Sequence, residues 1–407
     1  MIWCPSRRAV VGGLTFTAAI PYVSRANAAD PIRIGVLAPL TGGGGPYGAN
    51  IVKASKLAAE EINKAGGILD GRMIEIFAED DETNATAGVK AARKLLDIDR
   101  VNSITGMWGS APTLAVRPIA LEKGVMLGVL GSADETTQGE TKGLVWRFQA
   151  KGSTWGEPAA RAMIKAGFKN IGVLALQNPF VTSMIGPFVK TIEAGGGKVA
   201  VNVEFKPDQP SYRAEIDKVF SQNLDAVWVP GYVNQFTAIA KEIYRGGYKS
   251  KVYTLTIAAS AGKDGSGTFV KNVGKEVAEG IEHVQPISPP DRLEYAAFVK
   301  AMGASEGTIF PFAALQYDTI NVMALAMEKA KSSDAAVFCK QILPICNGPG
   351  KKVATAVEAL PLVRKGEAID FTGAGMDCQF DATGELLGRP FLHQVIRDGK
   401  DVILGMV

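Results

Sequence analysis

The residues of this chain that could do chemistry are few, and their spacing favours holding a ligand over transforming one. His283 and His393 are far apart in sequence and lack metal-ligand spacing, so both read as incidental surface or core residues. No G-x-S-x-G nucleophile elbow is present. The acidic run Glu79-Asp80-Asp81-Glu82 follows a strand-like segment and has the chemistry of a hard-cation site. A loop of capping and solvated charges ahead of a helix near Thr86 explains it more simply. The densest cluster is Gly42 to Gly45, followed by Pro46, Tyr47 and Gly48. Gly43, Gly45 and Gly48 satisfy G-x-G-x-x-G formally, but four consecutive glycines meet that pattern cheaply. Glu79 lies well beyond the roughly 20 residues expected for the acid of a dinucleotide site, Asp70 sits in a turn, and there is no G-K-[ST] phosphate loop. No metal and no cofactor follows from these residues, and the chain does not read as an enzyme.

The elements around the glycines give them a place. Ile32 to Leu40 is an apolar run without alternation, the mark of a strand buried on both faces. Ile51, Ala54, Leu57, Ala58 and Ile62 then recur at helical spacing up to Gly66-Gly67. The glycine-rich turn with Tyr47 near its end thus lies at the carboxyl edge of a strand, where open parallel sheets bind ligands. Strand-like and helix-like segments alternate from there to about Gly152, and the pattern restarts beyond it with strands at Ile171 to Leu176, Val199 to Val203, Ala226 to Val229 and Lys251 to Leu255. Such alternation predicts an α/β fold of two doubly wound parallel-sheet lobes. The last third is mainly helical over 294–330 and 353–365, with a hairpin-like pair at Met376 to Thr383 and Pro390 to Arg397. These pieces complete the two lobes, so the chain crosses between them more than once and leaves a hinge and a cleft. The expected lobes are 29–150 with 282–367, and 151–281 with 368–407.

Residues 1–28 read as an export signal. Arg7-Arg8 is followed by the mostly apolar Ala9 to Val23 and by the small-residue site Ala26-Asn27-Ala28. The twin-arginine match is partial, so the general secretory route stays open. Either route predicts a periplasmic protein. Removing this segment takes three arginines from the 44 basic residues and leaves 41 against 41 acidic ones. A chain without net charge or basic runs is a poor partner for nucleic acid or anionic membranes. Of the three remaining cysteines, Cys339 and Cys346 close a short loop and form the favoured disulfide in an oxidising compartment, with Cys378 left as a buried thiol.

The words IGVLAPLTGGGGPYG, AAEEINKAGGILDGR, ITGMWGSAPT (Ile104 to Thr113) and AALQYD (Ala313 to Asp318) resemble those of the branched-chain amino-acid (leucine/isoleucine/valine) binding proteins of bacterial ABC transporters. The likeness spans essentially all of the chain after the signal. It implies the type I periplasmic binding protein fold, with three crossovers at the hinge and a small ligand held between closing lobes. It also implies a monomer that delivers this ligand to a membrane permease. The alternatives are a sensor domain serving a separate receptor and a binder of polar amide or urea-like solutes.

Carried over residue by residue, the resemblance assigns the ligand's carboxylate to Ser110, with Trp108 and Gly109 beside it, and to Leu130, Gly131 and Ser132. The helix starting near Ala111-Pro112 would add its positive end. Tyr47 and Tyr232 match the aromatics of the two lobes, and Phe180 and Phe312 stand where the family has tyrosines. The largest departure is at Leu255 to Ala258, where the family's acid for an α-ammonium is missing and Thr256 stands in the stretch. Asp264 and Asp318 are the possible substitutes. The resemblance implies an amino acid, and an anion end without a cation end makes an apolar (aliphatic) or aromatic carboxylate, or a polar neutral ligand, the alternative to it.

Overall fold

The computed structural model describes Met1 and residues 30–407 apart from 263, 264, 266 and 289–291. The expected export signal and Asp264 therefore lie outside the described residues. Among the described residues fourteen strands follow in chain order: β1 (Ile32–Ala38), β2 (Ile74–Asp80), β3 (Ser103–Met107), β4 (Met126–Val129), β5 (Val145–Arg147), β6 (Asn170–Leu176), β7 (Lys198–Phe205), β8 (Ala226–Trp228), β9 (Lys251–Leu255), β10 (Glu282–Pro286), β11 (Lys351–Val353), β12 (Ile369–Phe371), β13 (Phe391–Arg397) and β14 (Lys400–Met406).

They form two large sheets, as the alternation predicts. The first has the order β2-β1-β3-β4-β5 and is parallel throughout. The second has the order β14-β13-β10-β9-β8-β6-β7, parallel from β7 to β10 and antiparallel at β13 and β14. Each sheet reverses its winding once, between β1 and β3 in the first and between β6 and β8 in the second. A reversal sends the following loops to opposite faces and opens a crevice at the strands' carboxyl ends. That geometry places the loops after β1, β3, β6 and β8 around a single cleft.

The chain passes between lobes three times: after β5, after β10 and before β13. Two expected boundaries need correction. A limit at 281 severs β10 from the second sheet, although it pairs with β9 and β13 and Val284 is fully buried. A limit at 368 gives β12 to the second lobe, whereas it pairs with β11 and packs beside the Ile342–Cys346 helix. The expected hairpin between Met376 to Thr383 and Pro390 to Arg397 is also absent. β13 pairs with β10 and β14 instead, and the preceding segment touches the first sheet through a bridge from Glu385 to Arg147.

Cys339, Cys346 and Cys378 are all buried free thiols. The favoured Cys339–Cys346 bridge fails because residues 335–346 run as successive helical turns. A rise of about 1.5 Å per residue separates positions seven apart by about 10 Å, beyond the Cα spacing of a disulfide. No described helix is long and apolar enough to cross a membrane.

Candidate functional site

The glycine-rich segment after β1 is more helical than its composition suggests. A 3-10 turn at Gly42–Gly44 leads directly into the Gly45–Lys64 helix, which has Pro46 in its first turn. Two glycines are required by close approach. At Gly42, φ is 73° and a Cβ would stand 2.2 Å from the Glu82 carbonyl oxygen; at Gly48 it would stand 2.1 Å from that of Pro39. The loop after β2 braces this turn. Asp80 accepts hydrogen bonds from the Leu40 and Thr41 N–H groups, the Thr41 hydroxyl and the Glu82 N–H, at 2.7 to 3.2 Å. The acidic run thus supports the site mechanically, and its neighbour Glu79 pairs with Lys94 at 2.6 Å.

Six aromatic rings fill the centre of the cleft. Tyr47, Trp108 and Phe312 come from the first lobe, with ring centroids 4.9 to 5.8 Å apart. Trp155, Phe180 and Tyr232 come from the second. Phe180 stands edge-on to Trp155 at 5.1 Å and stacks on Tyr232 at 6.2 Å. Trp108 and Tyr232 meet across the lobes at 5.1 Å. Burial pushes the phenols of Tyr47 and Tyr232 well above their ordinary value, so both remain protonated hydrogen-bonding groups.

Trp108, Ser110, Leu130, Ser132, Phe180, Tyr232 and Phe312 line one cavity together with Trp155 and Ile257. Its volume is about 10 Å³, the room of a single water. Two larger cavities flank it. One of about 420 Å³ is lined by Gly43, Gly109, Ser110, Asn178 and Tyr232. The other, of about 520 Å³, is lined by Tyr47, Thr256, Ile257, Gln285, Gln394 and Asp401. Of the eleven expected residues, Gly131 alone lines none of these cavities; it backs the loop. Phe180 is not in a loop after β6 but in the first turn of the Pro179–Ala194 helix, capped by Asn178. Asp318 is excluded from the cleft. It is fully buried in the first lobe and accepts the Ala374 and Gly375 N–H groups at 2.7 Å each.

The two serines are held differently. Gly109, not Ser110, caps the Ser110–Lys123 helix, so an ordinary capping role for Ser110 does not apply. The Ser110 hydroxyl oxygen accepts the Ala133 N–H at 3.0 Å, which ties the loop after β3 to the loop after β4. Its own O–H stays available to a ligand. Ser132 lies between two carbonyls clamped by Arg147, whose Nη1 donates to Gly131 at 2.6 Å and whose Nη2 donates to Ala133 at 2.8 Å. Arg147 is fully buried and pairs with Glu385 at 2.8 Å, in the segment that precedes the third passage between lobes. Sequence reasoning missed Arg147, Trp155 and Ile257. An arginine inside the apolar Leu144 to Phe148 stretch was the available signal for the first.

Asp81 lies beneath the same cleft. It is fully buried, accepts the Thr83 N–H at 2.7 Å and leaves its other oxygen unpartnered. Burial raises its carboxyl from the ordinary 3.8 to about 7, against the Thr83 hydrogen bond, and Asp80 adds to the rise. An acid that binds its proton more tightly folded than unfolded contributes full stability below its unfolded value. That contribution falls away as pH rises from about 4 to 7. Asp81→Asn should therefore stabilise the protein by about 2–4 kcal/mol at pH 8 relative to pH 4. Urea unfolding of both proteins at the two pH values measures this; equal differences at both would refute it.

Parallel sheets that reverse at one shared crevice, closed by aromatics from both sides and edged by hydroxyls, define a two-lobed solute-binding fold. The chain belongs to the periplasmic binding protein family, whose model matches residues 31–372. It is 26% identical to a Leu/Ile/Val-binding protein of Rhizobium johnstonii over 366 residues, which covers 88% of this chain and 93% of the relative. Its fold is similar to the crystal structure of a leucine-binding protein from Thermotoga maritima, with a TM-score of 0.76, 22% identity and coverage of 92% and 98%. It is also similar to an ABC-transporter solute-binding protein of R. palustris in complex with benzoate, with a TM-score of 0.73, 19% identity and coverage of 92% and 96%. The family and these relatives are binding proteins, not enzymes.

Proposed function

We propose that this protein captures a small carboxylate between its lobes in the periplasm and, as a monomer, delivers it to an ABC permease. The carrying observation is the convergence of Ser110 and Ser132 with aromatics of both lobes in one cavity. The hydroxyls and the adjoining helix start suit a carboxylate. The rings of Trp108, Phe180, Tyr232 and Phe312 suit an apolar, planar body. Relatives that bind leucine and benzoate support both an aliphatic and an aromatic version of that ligand. The lobes act as closing bodies, since a ligand that contacts both favours the state in which they meet.

No acid occupies Leu255 to Ala258, so an α-ammonium gains little and its desolvation goes uncompensated. Calorimetric titration of phenylalanine against 3-phenylpropionate, and of leucine against 4-methylpentanoate, tests this reading. The deaminated acids should bind at least as tightly as their amino acids. Tight binding of the amino acids with none of the deaminated acids would overturn it.

A further inference from the structure

Beyond β9 the chain makes one helical turn, Thr256–Ala259, on the second lobe's side of the cleft. The Thr256 hydroxyl oxygen lies 2.7 Å from Nδ1 of His283. The opposite ring nitrogen, Nε2, lies 3.1 Å from an oxygen of Asp401. His283 is wholly buried on β10, and Asp401 stands near the start of β14. The Ala261 N–H reaches the same Asp401 oxygen at 2.9 Å, while the Gly262 N–H and the Ser260 hydroxyl reach the other at 2.8 Å each.

The proton positions follow from this count. Two carboxylate oxygens offer about four lone-pair sites, and four donors fill those of Asp401. Burial works to raise this carboxyl, but the hydrogen bonds from His283, Ala261 and Ser260 hold it below its ordinary value. An ionised carboxylate only accepts, so Nε2 of His283 carries its hydrogen. With the imidazole neutral, Nδ1 is an acceptor and the Thr256 O–H donates to it at the observed 2.7 Å. In that state the Thr256 proton is committed inward, which leaves the oxygen lone pairs of a residue that lines the cleft.

We propose that His283 is held neutral and that the Asp401–His283–Thr256 chain thereby fixes Thr256 as a hydrogen-bond acceptor that selects aromatic carboxylates bearing a neutral donor, a hydroxyl or amide N–H, remote from the carboxylate. This rests on the carboxylate reading of the cleft given above. Thr256 lines the 520 Å³ cavity beside Gln285 and Gln394, two buried amides that extend the polar wall. That cavity adjoins the serine-lined one through Ile257, which lines both. A cation is the wrong occupant. Asp401 has its lone pairs engaged, and Glu306, the other described acid lining the cavity, is exposed. A hydroxyl or amide loses far less on leaving water than an ammonium does.

The test is calorimetric titration of the wild type, Thr256→Val and Thr256→Ser. The probes are 3-phenylpropionate, its para-hydroxy and para-methoxy derivatives, 4-propylphenol and 4-propylanisole. The wild type should prefer the hydroxy acid to both the parent and the methoxy acid by roughly tenfold or more. Thr256→Val should collapse that ratio and Thr256→Ser should restore it. Equal binding of the hydroxy and methoxy acids, or a preference that survives in Thr256→Val, overturns the proposal and leaves the carboxylate reading standing. If the hydroxyl preference holds but the neutral phenol binds as well as the hydroxy acid, the relay stands and the carboxylate reading falls. No binding by any probe overturns both.

Discussion

Replacing Arg147 by methionine is expected to cost about 3–5 kcal/mol of folding stability, the range for removing one partner of a buried ion pair. The guanidinium is fully buried and donates to Glu385, Gly131 and Ala133. Its loss leaves a nearly buried carboxylate without its cation and the Gly131 carbonyl without a donor, while the Ala133 carbonyl keeps only the Thr136 N–H. Arg147→Lys should recover little, because one ammonium cannot reproduce a planar fork aimed at three acceptors. Arg147→Met combined with Glu385→Leu should recover part of the loss by removing the unpaired charge, though the Gly131 carbonyl stays unpartnered. Urea denaturation of the four proteins measures this. A loss below about 1 kcal/mol for Arg147→Met, the range of a surface pair, would show that the clamp carries no weight.

The second large effect falls on binding. Changing both Ser110 and Ser132 to alanine should weaken binding of the tightest carboxylate found by titration by about 2–4 kcal/mol, from 1.5–3 kcal/mol per hydrogen bond to a charged group with allowance for non-additivity. At 1.4 kcal/mol per decade this is roughly 30- to 700-fold in Kd. Unchanged affinity would mean that the ligand's anion sits elsewhere. The folding effects should differ between the two sites. Ser132→Ala should be nearly silent, as expected for a loop hydroxyl at a sheet edge. Ser110→Ala should cost about 1 kcal/mol or more, because the Ala133 N–H loses its partner within a buried loop.

Much of this architecture was legible in the sequence because parallel strands announce themselves. Ile32 to Ala38 and Ile171 to Leu176 are apolar on both faces, and each is followed by a helix with a clear periodic face. The glycine-rich turn after β1 could be placed for the same reason, and with it Tyr47; Ser110, Phe180 and Tyr232 rest on the family resemblance, which set Phe180 in a loop where the chain is already helical. Short strands were harder. β5 and β12 have three residues each, too few for a pattern, and their membership depends on partners distant in sequence. That is why the last passage between lobes was expected some twenty residues too early. The relay at Thr256 was least legible. Its three members come from separate elements, each unremarkable alone, and His283 looks like any core histidine until Asp401 arrives from the far end of the chain.

The packing of the cleft also bears on rates. With Trp108 against Tyr232 at 5.1 Å and about 10 Å³ left beside the serines, nothing the size of a benzoate enters while the rings are in contact. Admission requires the lobes to part. Capture is then governed by how often they part, and the apparent dissociation constant exceeds the intrinsic one by the reciprocal of the open fraction. Shortening a ring that crosses the seam, as in Tyr232→Ala, would raise that fraction and also remove contacts from the bound state. Arrival and departure should both quicken, so turnover at the seam and tightness of grip are traded against each other through the same side chains.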